Sequence, residues 1–296
     1  MKLSIHITYY HNKNISNQTG KLKHNKIFYL QKVIKSYQKI NVQKKIFIHT
    51  NNTQILKKKI SGQDINFIHH DLSNQNPRTL PWKCRKLIEK QKKNFDFFIY
   101  TEDDILFTKE NFSYWLKHKD ECLKKKFNLG FLRFEYDSKR KKFLTDLIKP
   151  LFKYIKINKK KYIVNDQNPN CSFWIMDKKE LKEFVKSKYW HFNWPNKNYK
   201  AYYDTEIMSA IGWHGLNMNR YIATIIPVKN NNIHDGAYVN HIPNNYAGNK
   251  SGFGSLRKEK VLEKNLKEYN LVNEKINNII LYIIYKLRFF KKIFKT

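Results

Sequence analysis

The stretch that decides the fold runs from Phe95 to Trp115 and reads FDFFIYTEDDILFTKENFSYW. Apolar residues at 97–100 and 105–107 flank a run of three consecutive carboxylates. The three are Glu102, Asp103 and Asp104. An unbroken apolar segment rich in aromatic and β-branched residues is typical of a strand that is buried on both faces. Adjacent carboxylates at the end of such a strand repel one another unless they face water or a cation lies among them.

This acidic run has two interpretations. In the first it is a plain turn, because Asp fills positions that turns favour. In the second the strand opens into a cleft where the carboxylates hold a divalent metal ion. The composition favours the metal site: the chain has only 24 acidic residues against 58 basic ones, and an exposed acidic run needs no flanking apolar strand.

Length and composition predict a globular protein with a large core. The chain has 296 residues, of which 41% are hydrophobic and 15% aromatic, and this excludes a disordered chain. Its formal net charge of +34 favours anionic partners such as nucleotide phosphates or acidic membrane surfaces. Only 7 of the 58 basic residues are Arg, the side chain on which specific nucleic-acid sites rely, so no such site is predicted.

The cysteines and the hydropathy pattern indicate a cytoplasmic protein. Cys84, Cys122 and Cys171 are widely separated and form no CxxC pair of the kind that binds zinc or exchanges disulfides. The polar residues within the first twelve positions do not fit a signal peptide. No segment reaches the ~20 apolar residues that a membrane-spanning helix needs.

Strand and helix patterns alternate along the chain and predict an α/β fold. The predicted strands cover 3–10, 44–51, 65–72, the apolar segments around the acidic run, 129–136, 152–157 and 161–165. The predicted helices cover 27–40, 55–60, 81–94 and a segment that begins after an N-cap at Thr108, and residues 171–190 give a further strand and helix. This order favours a central, mostly parallel sheet flanked by helices, with ligands beyond the carboxyl ends of its strands.

Two groups of residues fall near this edge of the sheet. Thr8, Tyr9 and Tyr10 end the first predicted strand. Lys83 lies near the start of the helix that contains Pro81, and a helix N-terminus attracts phosphates. Lys83 is therefore either a phosphate ligand or one of many solvated lysines.

A second acidic stretch, residues 202–215, reads YYDTEIMSAIGWHG and predicts a short helix. Asp204 and Glu206 lie about 200° apart around such a helix, so both cannot face one cleft. If Asp204 is the N-cap, Glu206 is the freer acid for chemistry. The alternative is that the first only caps the helix and the second is solvated.

Histidines and one charge pattern complete the candidates. His234 and His241 lie in a long loop after the strand that Pro227 ends, and they are candidate metal or phosphate ligands. A single loop histidine is more often neither. Arg133 and Glu135 share one face of a predicted strand, where a partly buried ion pair is as well supported as a functional role.

At Glu102, Asp103 and Asp104 the chain resembles the GT-A superfamily of nucleotide-sugar glycosyltransferases. Those enzymes carry a DxD-type acidic motif at the end of a central strand of a Rossmann-like sheet. The likeness covers the order of elements from about residue 2 to residue 215 and a late loop that contains histidine. Here the motif reads EDD, so its first acid is Glu. The resemblance implies a Rossmann-like GT-A fold, a UDP- or GDP-linked sugar donor, and Mn²⁺ or Mg²⁺ as cofactor.

The resemblance also implies roles for the candidates. Asp104 is expected to bind the metal, with His234 as a second ligand. The nucleotide sugar is expected to contact Thr8, Tyr9, Tyr10, Lys83, Glu102 and Asp103. Glu206 or Asp204 would deprotonate the acceptor hydroxyl if the reaction inverts the anomeric carbon, or stabilise an oxocarbenium-like state if it retains it.

These roles predict a metal-dependent, hexosyltransferase-type enzyme that acts on a glycan or glycolipid acceptor. The metal would neutralise the charge of the leaving diphosphate. One alternative is a metal-dependent phosphodiesterase or nuclease, which needs further Asp and His ligands for a two-metal site. Another is a non-catalytic binder of nucleic acid or anionic lipid, which leaves the buried acidic strand end without a purpose.

The sequence predicts a catalytic domain at residues 1–250, with an acceptor-side insertion at 138–170, and a basic helical tail at 251–296. Between Lys275 and Lys295 the tail has six basic residues and no acidic ones. This pattern is typical of a helix that binds an anionic membrane surface, here the inner face of the plasma membrane. The alternative is a helix that docks on the core.

Overall fold

The structure is a computed structural model that describes residues 1–12, 25–125, 127–168, 171–187, 190 and 224–269. Its helices are α1 (Lys26–Gln38), α2 (Thr53–Lys59), α3 (Leu80–Gln91), α4 (Lys109–Lys124) and α5 (Lys178–Lys186). The strands of the first half are β1 (Lys2–Tyr9), β2 (Gln43–Thr50), β3 (Ile65–His69), β4 (Phe97–Glu102), β5 (Ile105–Leu106), β6 (Asn128–Leu129), β7 (Leu132–Tyr136) and β8 (Lys142–Leu144). The later strands are β9 (Leu151–Ile157), β10 (Lys160–Asn165), β11 (Phe173–Asp177), β12 (Thr224–Lys229), β13 (Asn232–Ile233), β14 (Tyr238–His241), β15 (Leu256–Arg257) and β16 (Leu262–Glu268).

The central sheet has five strands in the order β11–β4–β1–β2–β3. Strands β4, β1, β2 and β3 are parallel to their neighbours, and β11 closes one edge in the antiparallel direction. Strand β1 lies inside the sheet, with β4 and β2 on either side. The predicted α/β fold with a mostly parallel, Rossmann-like sheet is confirmed.

Helices cover both faces of this sheet. On one face, α1 buries the stripe formed by Leu30, Val33, Ile34 and Tyr37 in a cluster that includes the apolar residues of β1. Asn25 begins this helix, because its side chain accepts a hydrogen bond from the amide of Phe28. On the other face, α3 and α5 pack with the alternate residues of β4 in a second cluster. Its buried members are Cys84, Ile88, Phe98, Tyr100, Trp174, Met176, Leu181, Phe184 and Trp190.

The described residues form two further sheets. One has six strands, with β13–β12–β10–β9–β16 in sequence and β6 paired with β12. The other has five strands in the order β15–β8–β7–β14–β5. Between β4 and β5 the chain leaves the central sheet and enters this third sheet through a turn at Asp103 and Asp104. The acidic run therefore connects two sheets.

The prediction of a helix from residue 256 onward is wrong for the part of it that the structure describes. Here β15 pairs with β8, and β16 pairs in parallel with β9. Leu262 and Leu266 are four residues apart, a spacing that fits a helical stripe, but both pack from a strand against the core. Residues 262–268 form a strand because the edge of β9 is available for pairing. The basic segment from Lys275 to Lys295 lies outside the described residues.

The late loop has more structure than its composition predicts. It contains β13 and β14, and β14 lies between β7 and β5 in the third sheet. Only four residues long, β14 carries too little of a period to be recognised in the sequence. The hairpin predicted at 152–157 and 161–165 is confirmed as β9 and β10. Within the part of the chain described, no helix is long and apolar enough to cross a membrane.

Candidate functional site

The acidic turn lies at the carboxyl edge of the central sheet. Glu102 ends β4 and is the register partner of Thr8 on β1, so the motif lies beside the end of the first strand, as predicted. Asp103 is only 5% exposed. The Asp104 side chain is 22% exposed and is the more open of the two. Of the two turn carboxylates, Asp104 is therefore the one within easier reach of a ligand.

Two carboxylate oxygens of this turn lack a donor. Asp103 Oδ2 and Asp104 Oδ1 are buried and accept no hydrogen bond. Lys26 Nζ, at the start of α1, lies 3.8 Å from Asp103 Oδ2, too far for a hydrogen bond. Buried carboxylate oxygens without a hydrogen-bond donor are costly, and a bound cation is one way to satisfy them.

His241 lies between two carboxylates. Its Nε2 is 3.3 Å from Asp104 Oδ2, and its Nδ1 is 2.5 Å from Glu135 Oε1. Glu135 is fully buried on β7, and its other oxygen accepts hydrogen bonds from the amides of Tyr246 and Ala247 at 2.6 and 2.7 Å. Because β14 pairs with β7, Glu135 and His241 meet on neighbouring strands, and Glu135 holds the imidazole against the acidic turn.

The charges of this cluster shift one another. Burial lowers the pKa of His241, but the Asp104 carboxylate and the hydrogen bonds to Asp104 and Glu135 outweigh it and raise that pKa to about 9. Burial raises the pKa of Asp104, yet the His241 charge and hydrogen bond bring it below its usual value. Burial, only partly offset by Lys26, raises the pKa of Asp103 to about 6. At neutral pH the cluster contains a cationic imidazole that faces a carboxylate.

The ends of β1 and α1 meet at the same turn. The Asp103 carboxylate raises the pKa of Lys26 more than burial lowers it. Burial, with Asp103 adding to it, raises the pKa of Tyr9 to about 12. Tyr9 is 3% exposed and lies close enough to Asp103 and Lys26 for their charges to shift its pKa, and its contact with a nucleotide stays a prediction. Thr8 is buried as well, and its hydroxyl lies 3.3 Å from that of Tyr100 on the face covered by α3.

Two predicted nucleotide contacts lie farther along the rim. Lys83 is in the first turn of α3, and burial together with its charge lowers the pKa of His70. Its place is therefore by the end of β3. Tyr10 follows β1 directly and is partly exposed.

The structure puts His241, and not His234, against Asp104. The His234 ring packs on α4, where its centroid is 5.1 Å from that of Tyr114 and 5.4 Å from that of His118. Its Nδ1 accepts a hydrogen bond from the amide of Gly236. The choice of His234 as second ligand is corrected on this geometry, since a strand invisible in the sequence carries His241 to the site.

Arg133 and Glu135 do not pair with each other. Arg133 instead binds Asp146 through two hydrogen bonds, Nη2 to Oδ1 at 2.7 Å and Nε to Oδ2 at 3.0 Å. Its Nη1 donates to Ser172 Oγ, and the carbonyl of Ser172 accepts from the amide of Glu102. This network links the end of β4 to the segment that precedes β11. No sequence pattern pointed to Asp146.

The acidic turn suits a hard divalent cation, in part. Asp103 and Asp104 offer two free oxygens, whereas Mg²⁺ takes about six ligands. Across the described ranges no group of three or more His, Cys, Asp or Glu side chains is arranged to hold a metal ion. An ion here would complete its shell with water or with phosphate oxygens. Asp204 and Glu206 lie outside the described residues.

Comparisons with known proteins give structural likenesses only. No protein-family model matches the sequence, and no curated protein sequence matches it. The chain is similar to the bifunctional IspDF from Campylobacter jejuni, at 14% identity and a TM-score of 0.35 over 72% of this chain and 48% of that one. It is similar to S. aureus TarS 1–349, at 15% identity and a TM-score of 0.42 over 82% of this chain and 60% of that one. It is also similar to HddC from Yersinia pseudotuberculosis, at 13% identity and a TM-score of 0.33 over 61% of this chain and 79% of that one.

Replacing Glu135 with Gln is expected to weaken the binding of Mn²⁺ at the acidic turn about tenfold or more, because carboxylates behind a site histidine orient it. The change removes the charge that holds His241 and weakens the hold on the amides of Tyr246 and Ala247. Titration with Mn²⁺ in the presence of UDP measures the effect. Glu268→Gln, at a side chain 57% exposed, is the matched control and should bind as the wild type does. Equal affinity in both variants would contradict the role of Glu135.

Proposed function

We propose that this protein is a metal-dependent glycosyltransferase that moves a sugar from a nucleotide-linked donor to a glycan or glycolipid. The observation that carries the proposal is the pair of buried carboxylate oxygens of Asp103 and Asp104 that have no donor, at the carboxyl edge of a parallel sheet. Ligands of such sheets bind at that edge. The buried carboxylates of the turn suit a cation, and the lysine and protonated histidine beside them suit the phosphates that the cation brings.

The site has what departure of a nucleoside diphosphate requires. A divalent ion, when bound by Asp104 and Asp103, would supply Lewis-acid stabilisation of the leaving phosphate oxygens. Lys26 places an ammonium group beside Asp103 and adds positive charge at the same edge. Tyr9 lies close to both and offers a hydroxyl that stays protonated, since its pKa is raised to about 12. These groups bind and orient the donor before the transfer step.

His241 and Glu135 keep the acidic turn in place. His241 holds Asp104 through Nε2, and its backbone neighbour Ile242 donates its amide to the Asp104 carbonyl at 3.1 Å. The carboxylate is thereby held by a side chain and by the main chain of the same segment. In this proposal Glu206 or Asp204 supplies the base or the charge-stabilising acid of the transfer, according to whether the anomeric carbon inverts or is retained.

The remaining partners follow from charge. The donor is a UDP- or GDP-linked hexose and the cofactor is Mn²⁺ or Mg²⁺. The basic segment after residue 269 binds the cytoplasmic surface of an anionic membrane, which makes the protein a peripheral membrane protein. A glycolipid at that surface would then be within reach of the site.

Metal-dependent nucleotide binding tests the proposal. UDP or GDP is expected to raise the melting temperature of the full chain only when Mn²⁺ or Mg²⁺ is present, because ligands that bind the folded state stabilise it. Incubation of the protein with a panel of nucleotide sugars should then release the nucleoside diphosphate slowly by hydrolysis. A shift produced by an oligonucleotide alone, with none from nucleotides and metal, would overturn the proposal in favour of a nucleic-acid binder. Cleavage of a phosphodiester without sugar release would favour the phosphodiesterase.

A further inference from the structure

A continuous chain of three histidine side chains crosses the central sheet. His6 on β1 and His49 on β2 are fully buried, and His70 follows β3. His6 Nδ1 lies 2.9 Å from His49 Nε2, and His49 Nδ1 lies 2.9 Å from His70 Nε2. His49 thus lies between the other two rings, with its Nε2 toward His6 and its Nδ1 toward His70. The chain leads from the interior of the sheet to its carboxyl edge.

Gln91 of α3 fixes the inner end of this chain. Its amide oxygen accepts the hydroxyl hydrogen of Ser4 at 2.7 Å and lies 3.1 Å from His6 Nε2. An amide oxygen has no hydrogen to give, and the only hydrogen of the Ser4 hydroxyl is already used. His6 Nε2, which is also 2.8 Å from that hydroxyl oxygen, must therefore carry the hydrogen.

The rings are neutral, so the nitrogen that carries the hydrogen in one ring decides which nitrogen carries it in the next. Burial lowers the pKa of His6 to about 3 and that of His70 to about 4, and it brings the pKa of His49 well below its ordinary value. A neutral imidazole has one N–H and one lone pair. With its hydrogen on Nε2, His6 accepts at Nδ1 from His49 Nε2, and His49 accepts at Nδ1 from His70 Nε2. The Nδ1 of His70 is left with a lone pair, and the described residues offer it no hydrogen-bond partner.

This lone pair lies at the edge where a donor would bind. The amide of His70 donates to the carbonyl of Thr50 at 2.8 Å, so the residue stays beside the end of β2. Asn51, the next residue of that strand end, binds the amide and the carbonyl of His11 with its side chain, which joins the ends of β1 and β2. Three strand spacings, about 14 Å, separate β3 from β4 in the sheet. A nucleotide whose diphosphate is at the acidic turn can extend its base along this rim.

We propose that His70 Nδ1 is a hydrogen-bond acceptor that reads the base of the nucleotide donor. It accepts from a base whose Watson–Crick ring nitrogen carries a hydrogen, as uracil does at N3 and guanine at N1. Cytosine and adenine present a lone pair at the corresponding nitrogen and are rejected, because two acceptors face each other there. The inference rests on the proposed function and assigns His70 as the residue that selects its uridine or guanosine diphosphate donor.

Matched nucleotide pairs test the specificity. With Mn²⁺ present, calorimetry on the full chain is expected to give UDP an affinity about tenfold or more above that of CDP, or GDP the same advantage over ADP. His70→Ala is expected to bring the two members of the preferred pair within about twofold, mainly by loss of the better ligand. His69→Ala is the matched control, since His69 is the exposed neighbour on the same strand and should leave the preference unchanged.

The tautomer of the histidine chain gives an independent readout. In the free protein labelled with ¹⁵N-histidine, nitrogen shifts at pH 7.5 are expected to show hydrogen on Nε2 and a bare Nδ1 for His6, His49 and His70. Gln91→Met removes the acceptor at the inner end and should mix the tautomers.

The outcomes separate the two proposals. Hydrogen on Nδ1 of His70, or equal binding of UDP and CDP and of GDP and ADP by the wild type, overturns the base-reading role and leaves the glycosyltransferase proposal standing. Absence of any metal-dependent nucleotide binding overturns the proposed function, and the inference with it. A preference for the ring N–H base that His70→Ala abolishes and His69→Ala retains supports both.

Discussion

Replacing Asp104 with Asn is expected to abolish the metal-dependent thermal shift produced by UDP or GDP and to lower the rate of sugar transfer by about 100-fold or more. Asp104 is the more open acid of the turn, and one of its oxygens has no donor. The amide keeps the size of the side chain and an oxygen for His241, so the fold is expected to persist. What it removes is a hard anionic ligand and one of the charges that draw the cation.

The melting temperature without ligand separates this effect from misfolding. It should stay close to that of the wild type, because the lost attraction between Asp104 and His241 is offset by relief of the repulsion between two adjacent buried carboxylates. Asp120→Asn is the matched control: that side chain is 75% exposed on α4 and accepts a hydrogen bond from Lys119. An Asp104→Asn variant that retains the full shift and the full rate would refute the site.

Lowering the pH from 7 to 5 is expected to reduce the free energy of unfolding by about 2 kcal/mol for each fully buried histidine of the chain, or about 4 kcal/mol for His6 and His49 together. Burial holds both pKa values far below 6.5, that of His6 at about 3. Above pH 6.5 neither state is protonated and the stability is complete. Below pH 6.5 the unfolded chain binds protons that the folded chain does not bind, so the free energy of unfolding keeps decreasing down toward pH 3.

Urea unfolding at pH 7, 6 and 5 measures this slope. His6→Asn removes one titrating ring and should reduce the loss between pH 7 and 5 by about half of the paired contribution, whatever its stability at pH 7. His69→Asn changes an exposed histidine of the neighbouring strand and should leave the slope as it is in the wild type. If His6→Asn has the slope of the wild type, the ring does not stay neutral in the folded protein.

The central sheet could be predicted because its strands carry their own signal. In β1, β2 and β4 nearly every residue toward the carboxyl end is buried, so the apolar run is long and is bounded by polar loops. The helices α1 and α4 follow clear apolar stripes behind N-caps at Asn25 and Thr108. Since carboxyl ends of parallel strands share an edge, the order of elements also placed Tyr9 beside Asp103.

The partners of the acidic turn could not be predicted, because they come from short or distant segments. His241 reaches Asp104 from a four-residue strand whose place between β7 and β5 depends on long-range pairing. Asp146 pairs with Arg133 across a bend that has no sequence signature. The histidine chain was missed for another reason: its three members are 43 and 21 residues apart and meet only when β1, β2 and β3 lie side by side.

The two-residue turn between β4 and β5 makes Asp103 and Asp104 the connection between two sheets. Hydrogen bonds from β1 fix its beginning, and pairing with β14 fixes its end. A single residue inserted after Asp104 would shift β5 by one position against β14 and reverse which of its side chains face inward. The spacing of this connection is therefore as restrictive as the identity of its carboxylates, and related chains should tolerate length changes almost anywhere sooner than here.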